Sequence, residues 1–191
     1  MSIDKLNEWR PPSIVNINCA VEVFLNTGTG KHNIRDTLTS ELRNSTSPYG
    51  VASTINAVID SVTFLGNFNF PHVAPGNYYL AIYGRNSLET WNASTISISN
   101  GSDAVYDFTT GYSKAYGGNL DSLGNEFCIF SGDVNNDGFV DIKDLSQIET
   151  DLLNFVTGYV DSDLNGDYFV DSSDFEIAEN NATNYVSVIN P

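Results

Sequence analysis

Positive charge is scarce in this sequence. Eight Lys and Arg stand against 24 Asp and Glu, a formal net charge of −16 at pH 7. Phosphate backbones and anionic lipid surfaces repel such a chain, which argues against nucleic acid and membrane-surface partners. Long apolar runs are also missing, and no stretch reaches the ~18 apolar residues of a membrane span. Met1-Ser2-Ile3-Asp4-Lys5 lacks the apolar region of a secretory signal, so the expectation is a piece excised from a longer exported protein.

The usual equipment of catalysis is thin. The two histidines are His32, in a Gly-flanked turn, and His72, beside a proline; they share no metal-ligand spacing and supply no nucleophile–base pair. No phosphate-cradling Gly loop and no G-x-S-x-G occurs. The chain reads as a non-enzyme. There are two cysteines, Cys19 and Cys128, each in a strand-like run near one end of the first two thirds of the chain. Two readings stay open: a disulfide tying those ends, or two buried free thiols.

What the chain does have is an acidic pattern, present twice near its end. Counted from Asp133, side-chain oxygens stand at positions 1, 3, 5, 9 and 12: Asp133, Asn135, Asp137, Asp141 and Asp144. Thirty residues on, Asp163, Asn165, Asp167, Asp171 and Asp174 repeat the offsets. A calcium loop of the EF-hand type needs this spacing, with positions 1, 3 and 5 aiming oxygens inward from a tight turn. Position 7 (Phe139, Phe169) lends a backbone carbonyl, position 9 often acts through water, and position 12 reaches back from the following helix. At a shift of 30, residues 131–160 and 161–190 agree at ten positions, which makes this an internal repeat. The tails match too, Asn154-Phe155-Val156-Thr157 against Asn184-Tyr185-Val186-Ser187. Tyr168 replaces the position-6 Gly of the second loop, where φ is usually positive. Thirteen of the 24 acids fall in residues 131–191 against Lys143 alone, a local charge of −12 that two Ca²⁺ would bring to −8. Without metal these carboxylates repel one another, so folding of this part is expected to depend on calcium.

This pattern resembles the dockerin family, in which two calcium loop–helix repeats form a small all-α module. Asp at position 12 is shared with dockerins. The resemblance covers about residues 131–191 and implies two bound Ca²⁺. It also implies a cohesin partner read by loop positions 10 and 11, which are Ile142 and Lys143 in one repeat and Ser172 and Ser173 in the other. That mismatch makes the two faces unequal. The Asn-Phe-Val and Asn-Tyr-Val tails look more like dockerin-type endings of secreted bacterial surface proteins.

Residues 1–13 read as a lead-in, and residues 14–130 as strands. Val15, Ile17, Cys19, Val21, Val23 and Leu25 alternate with mostly polar neighbours; Leu38 and Leu42 share a face; Phe64, Gly66, Phe68 and Phe70 alternate again. Residues 51–62 suit a strand pair or a short helix. Ala74-Pro75-Gly76-Asn77 has the chemistry of a type II turn, and Asn77 to Gly84 is apolar on both faces. Asn100-Gly101-Ser102 separates later strands. Seven or so short strands with turns between them argue a β-sandwich. Phe70-Pro71-His72-Val73-Ala74-Pro75-Gly76-Asn77-Tyr78-Tyr79-Leu80 resembles the hairpin of prealbumin-like, carboxypeptidase-regulatory-like sandwiches, over about residues 14–130. The boundary falls at Phe130-Ser131-Gly132 with almost no linker, so the two parts are expected to be docked. Helices are expected at Ile142–Leu153 and Ser172–Thr183.

The chain therefore reads as mainly β, a prealbumin/Ig-like sandwich (14–130) followed by a dockerin-like calcium module (131–191). The expected role is non-catalytic: an extracellular, cell-surface attachment or assembly part of a bacterial protein, with a protein partner or self-assembly. Two alternatives stand beside it. One is a true dockerin plugging into a cohesin of a polysaccharide-degrading complex. The other is a carbohydrate-binding sandwich using Trp91 with Tyr78, Tyr79 and Tyr83.

Overall fold

The structure, a computed structural model, describes residues 11–99, 101 and 103–191; most of the lead-in and, with Asn100 and Ser102, the expected turn there lie outside the described residues. The strands are β1 (Ser13–Asn18), β2 (Ala20–Val21), β3 (Leu25–Asn26), β4 (Lys31–His32), β5 (Thr37–Asn44), β6 (Val51–Val58) and β7 (Leu65–Phe70). They continue as β8 (Gly76–Tyr83), β9 (Thr90–Trp91), β10 (Ile96–Ile98), β11 (Ala104–Asp107), β12 (Asp121–Leu123) and β13 (Glu126–Ile129). Two helices follow, α1 (Ile142–Leu153) and α2 (Ser172–Thr183). The molecule is mainly β.

Two sheets face each other. In the first, β1 runs parallel to β11 and antiparallel to β7. In the second the order is β10-β8-β5-β6, with β9 added to β8. Alternation decides what lies between them. Val15 and Ile17 of β1 and Phe68 and Phe70 of β7 meet Leu38 and Leu42 of β5 and Leu80 and Ile82 of β8, all essentially solvent-free. Gly66 is a packing requirement, since a Cβ there would sit 2.5 Å from the Ile59 side chain. A smaller sheet joins β12, β13 and β2 beneath the start of the C-terminal repeat.

Several expectations are corrected. The long alternating run from Val15 to Leu25 is not one strand. It breaks at Cys19, whose N–H bonds the Phe64 carbonyl, and β2 then enters the sheet of β13 before a 3₁₀ turn at Glu22–Phe24. Residues 51–58 form one edge strand, neither a pair nor a helix. The tight turn before β8 lies at Pro71-His72, where His72 has φ 58°; Gly76 has no positive φ and already opens the strand. Both cysteines are free and buried: Cys19 Sγ faces the Ala20 carbonyl, Cys128 Sγ the Asp121 carbonyl, and burial pushes both thiols up. His32 is no surface residue either. It is 6% exposed, packs against Phe64 and accepts a hydrogen bond from the Val21 N–H, and burial lowers it to about 4.

The helices have the expected bounds because each start is chemically marked. Asp141 and Asp171 cap the first turns, accepting from Lys143 N–H and Ser173 N–H, while Asp144 and Asp174 return bonds to the cap N–H groups. These are reciprocal capping boxes. Val134, Ile148, Leu164, Val170 and Ala178 close a second apolar cluster between the helices, with Leu145, Leu152 and Phe175 against it.

Candidate metal centre

The two acidic loops have nearly the same internal wiring. Asp144 Oδ1 accepts from Val134 and Asn135 N–H at 3.0 and 3.2 Å, and Asp174 Oδ1 accepts from Leu164 and Asn165 N–H at 2.8 and 3.0 Å. Position 3 accepts from position 5 in both, at 2.8 Å, and position 5 accepts from position 7. Asp133 takes the Asp137 and Gly138 N–H groups, whereas Asp163 takes those of Gly166 and Tyr168. Position 4 is Asn136 in loop one and Gly166 in loop two, and both turn with positive φ, 55° and 77°. Gly138 turns with φ 86°, and Tyr168 adopts φ 71° in its place, a conformation that costs a bulky residue strain.

Each loop is sewn to the tail of the other repeat. Val140 N–H bonds the Val186 carbonyl and Val188 N–H the Gly138 carbonyl; symmetrically, Val170 bonds Val156 and Gly158 bonds Tyr168. This explains why the tails repeat. The aromatic tips of the tails stand in solvent, Phe155 87% and Tyr185 89% exposed. Tyr159 does reach the sandwich, donating its hydroxyl to Asp36.

Charge is unbalanced inside the loops. Asp133, Asp144, Asp163 and Asp174 are buried, and burial is the leading cause that raises all four carboxyls above their ordinary range, Asp133 to about 6. Lys143, itself exposed, bonds Asp137 at 2.6 Å and approaches Asp141 at 3.9 Å; among the described residues no cation touches the buried pair of loop one. Among the described residues no three His, Cys, Asp or Glu side chains converge as a ready-made metal cluster. The loops instead alternate carboxylates with an Asn and a carbonyl. Buried, unpaired carboxylates are costly, and a hard divalent cation with oxygen ligands removes that cost. The donor set therefore fits calcium.

Between the sheets and the repeat, the Gly84–Glu89 stretch acts as a clamp. Gly132 N–H bonds the Asn86 carbonyl, Leu88 N–H the Phe130 carbonyl, and Asn86 Nδ2 reaches the Asp161 and Asp163 carbonyls, each at 3.2 Å. Glu22 accepts from Ser131 N–H at 2.9 Å and Asn181 Nδ2 at 2.7 Å. Sequence reasoning missed this clamp because its partners are 42 to 159 residues apart in the chain. Loop one opens on a cleft of about 530 Å³ lined by Tyr83, Glu89, Asp133 and Asp137.

The residues expected to read a partner are all exposed: Ile142, Lys143, Ser172 and Ser173. The two faces differ. Phe139, Ile142, Leu145 and Tyr185 line an apolar groove of about 590 Å³, whereas Ser172 and Ser173 stand at the equivalent of Ile142 and Lys143. Trp91 and Tyr78 are 3% and 8% exposed, so the sugar platform expected of them is not open to solvent; Trp91 lies under Arg43, 5.3 Å from its ring, and against Tyr79. Asn92 and Asn181, in N-x-S/T sequences, are buried as well.

No family model and no curated protein matches the chain. Among solved structures it is similar to a chain of a type II cohesin–X–dockerin complex from Acetivibrio cellulolyticus, an N-terminal interface mutant, at 17% identity and a TM-score of 0.45, covering 92% of this chain and 99% of that one. The C-terminal interface mutant of the same complex gives 17% identity, a TM-score of 0.48 and the same coverage.

Proposed function

We propose that residues 131–191 are a dockerin-like module that folds around two Ca²⁺, and that the chain is a non-catalytic, extracellular assembly part in which this module is fixed to a β-sandwich. The carrying observation is the matched pair of loops, each with two buried carboxylates held by backbone N–H groups. In loop one Asp133, Asn135, Asp137, the Phe139 carbonyl, Asp141 through water and Asp144 would hold the ion. In loop two the set is Asp163, Asn165, Asp167, the Phe169 carbonyl, Asp171 and Asp174. Calcium supplies positive charge there and no chemistry. The chain's own part is to hold the carboxylates in place through backbone N–H groups and to keep the repeat against the sandwich through Asn86 and Glu22. Thermal unfolding of the calcium-loaded chain, repeated in excess EDTA, tests this. The C-terminal transition drops by about 10 °C or more in chelator; an unchanged melt refutes the assignment.

A second reading, docking to a cohesin, is favoured by the groove of Phe139, Ile142, Leu145 and Tyr185. Exposed aromatic and apolar side chains gathered on one face suit a protein partner. Pull-down with cohesins, with Ile142→Asp as the control, decides between this and a purely mechanical role.

A further inference from the structure

The two loops are alike inside but not in what lies against them. Loop one meets the sheets with exposed Asn136, whose Nδ2 donates to the Arg85 carbonyl. Loop two is covered: Gly166 is buried under Ile34, whose Cδ1 is 2.4 Å from where a Cβ would stand. Beside it lies the Arg85 guanidinium, with only 9% of its side chain exposed. Arg85 Nε bonds Asp36 Oδ2 at 3.1 Å, Nη1 donates to the Val160 carbonyl, and the group stacks 4.5 Å from the Tyr159 ring centroid. Its Nη2 has no hydrogen-bond partner and points at Asp163 Oδ2, 4.0 Å away. Among the described residues loop one has no buried counterpart of this cation: its basic neighbour Lys143 is exposed and contacts positions 5 and 9.

We infer that Arg85 is a built-in competitor of the metal at loop two, which makes that loop the weaker of the two calcium sites and sets its affinity from the sandwich. This rests on the reading of the loops as calcium sites. A fixed positive charge beside the position-1 carboxylate repels an incoming dication whether or not the loop keeps its shape. Even with the screening of bulk water, a unit positive charge about 6 Å from a dication changes its affinity by about tenfold, and the Asp36 carboxylate on the other side of Arg85 offsets part of that. Asp36 is buried, and it is the acid that pairs with Arg85. Removing the Asp36 charge should therefore act in the opposite sense to removing that of Arg85.

The test is calcium titration calorimetry on the full chain and its variants. Wild type shows two steps; Asp163→Ala deletes the weaker and Asp133→Ala the tighter. Arg85→Met tightens the weaker step by about three- to tenfold, Arg85→Lys leaves it within about twofold, and Asp36→Asn weakens it. Should Arg85→Met not fold, Arg85→Gln, which still donates to the Val160 carbonyl, gives the same reading. If Arg85 merely props the loop, Met and Lys both weaken the step, and that result overturns the inference, as does no change in any variant. A wild-type chain that takes up no calcium overturns the calcium reading itself. Two ions bound with an Asp163→Ala variant that loses the tighter step overturns this inference alone.

Discussion

Glu22→Gln should make the protein more stable at pH 8 and leave it unchanged at pH 4.5. Glu22 sits where the 3₁₀ turn of the sandwich meets the first residue of the repeat, and its carboxylate accepts from Ser131 N–H and Asn181 Nδ2. Among the described residues no basic side chain joins this group. Burial raises the carboxyl from 4.5 to about 7, an effect that the two hydrogen bonds reduce and the charge of Asp121 adds to. A group held higher in the folded state than in the unfolded one binds more protons when folded. Its contribution is therefore fully present below about 4.5 and is lost as pH rises through about 7. The interval corresponds to roughly 3 kcal/mol against the ionised folded form at pH 8. A glutamine oxygen accepts the same two bonds without charge, so the variant should gain about 2–3 kcal/mol at pH 8 and nothing near pH 4.5. Urea unfolding of both chains at the two pH values, at one fixed calcium concentration, measures the difference while other titrations cancel. An equal gain at both pH values, or a loss at pH 8, refutes the reasoning.

The remaining expectations are simpler. Neither thiol reacts with Ellman's reagent in the native chain, and two equivalents react after unfolding without reductant; zero after unfolding would mean a disulfide and contradict the free, buried pair. Phe68→Ala, in the centre of the sandwich core, costs about 3–5 kcal/mol by chemical denaturation. Phe155→Ser changes stability by no more than about 0.5 kcal/mol, because the ring is in solvent. In calcium titration Asp141→Ala lowers loop-one affinity less than Asp133→Ala does, the order expected of a position 9 that acts through water; the reverse order would place Asp141 directly on the ion.

Some of this molecule is written locally and some is not. The loops, both helix boundaries and the doubled tails were legible in the sequence, because a cap, a turn and a reach-back carboxylate are each satisfied within about a dozen residues. The replacement of the position-6 Gly by Tyr168 was legible too, but not that Tyr168 would itself adopt the positive φ of Gly138. Most strands were legible from alternation, since a period of two needs only one buried face.

Decisions taken between distant segments were not legible. Alternation from Val15 to Leu25 continues unbroken in the sequence, yet the backbone changes sheets at Cys19 because β7 and β13 compete for it from different sides. His32 reads as a turn residue until Val21 and Phe64 close over it, and Trp91 reads as a stacking platform until Tyr79 and Arg43 cover it. Arg85 had no chemistry in the sequence at all. Its role comes from Asp36 on one side and the Val160–Asp163 stretch on the other, two parts of the chain far from it in sequence. Local hydrogen-bond and turn chemistry fixes short-range geometry, while burial, pairing and charge balance depend on which surfaces the fold brings together.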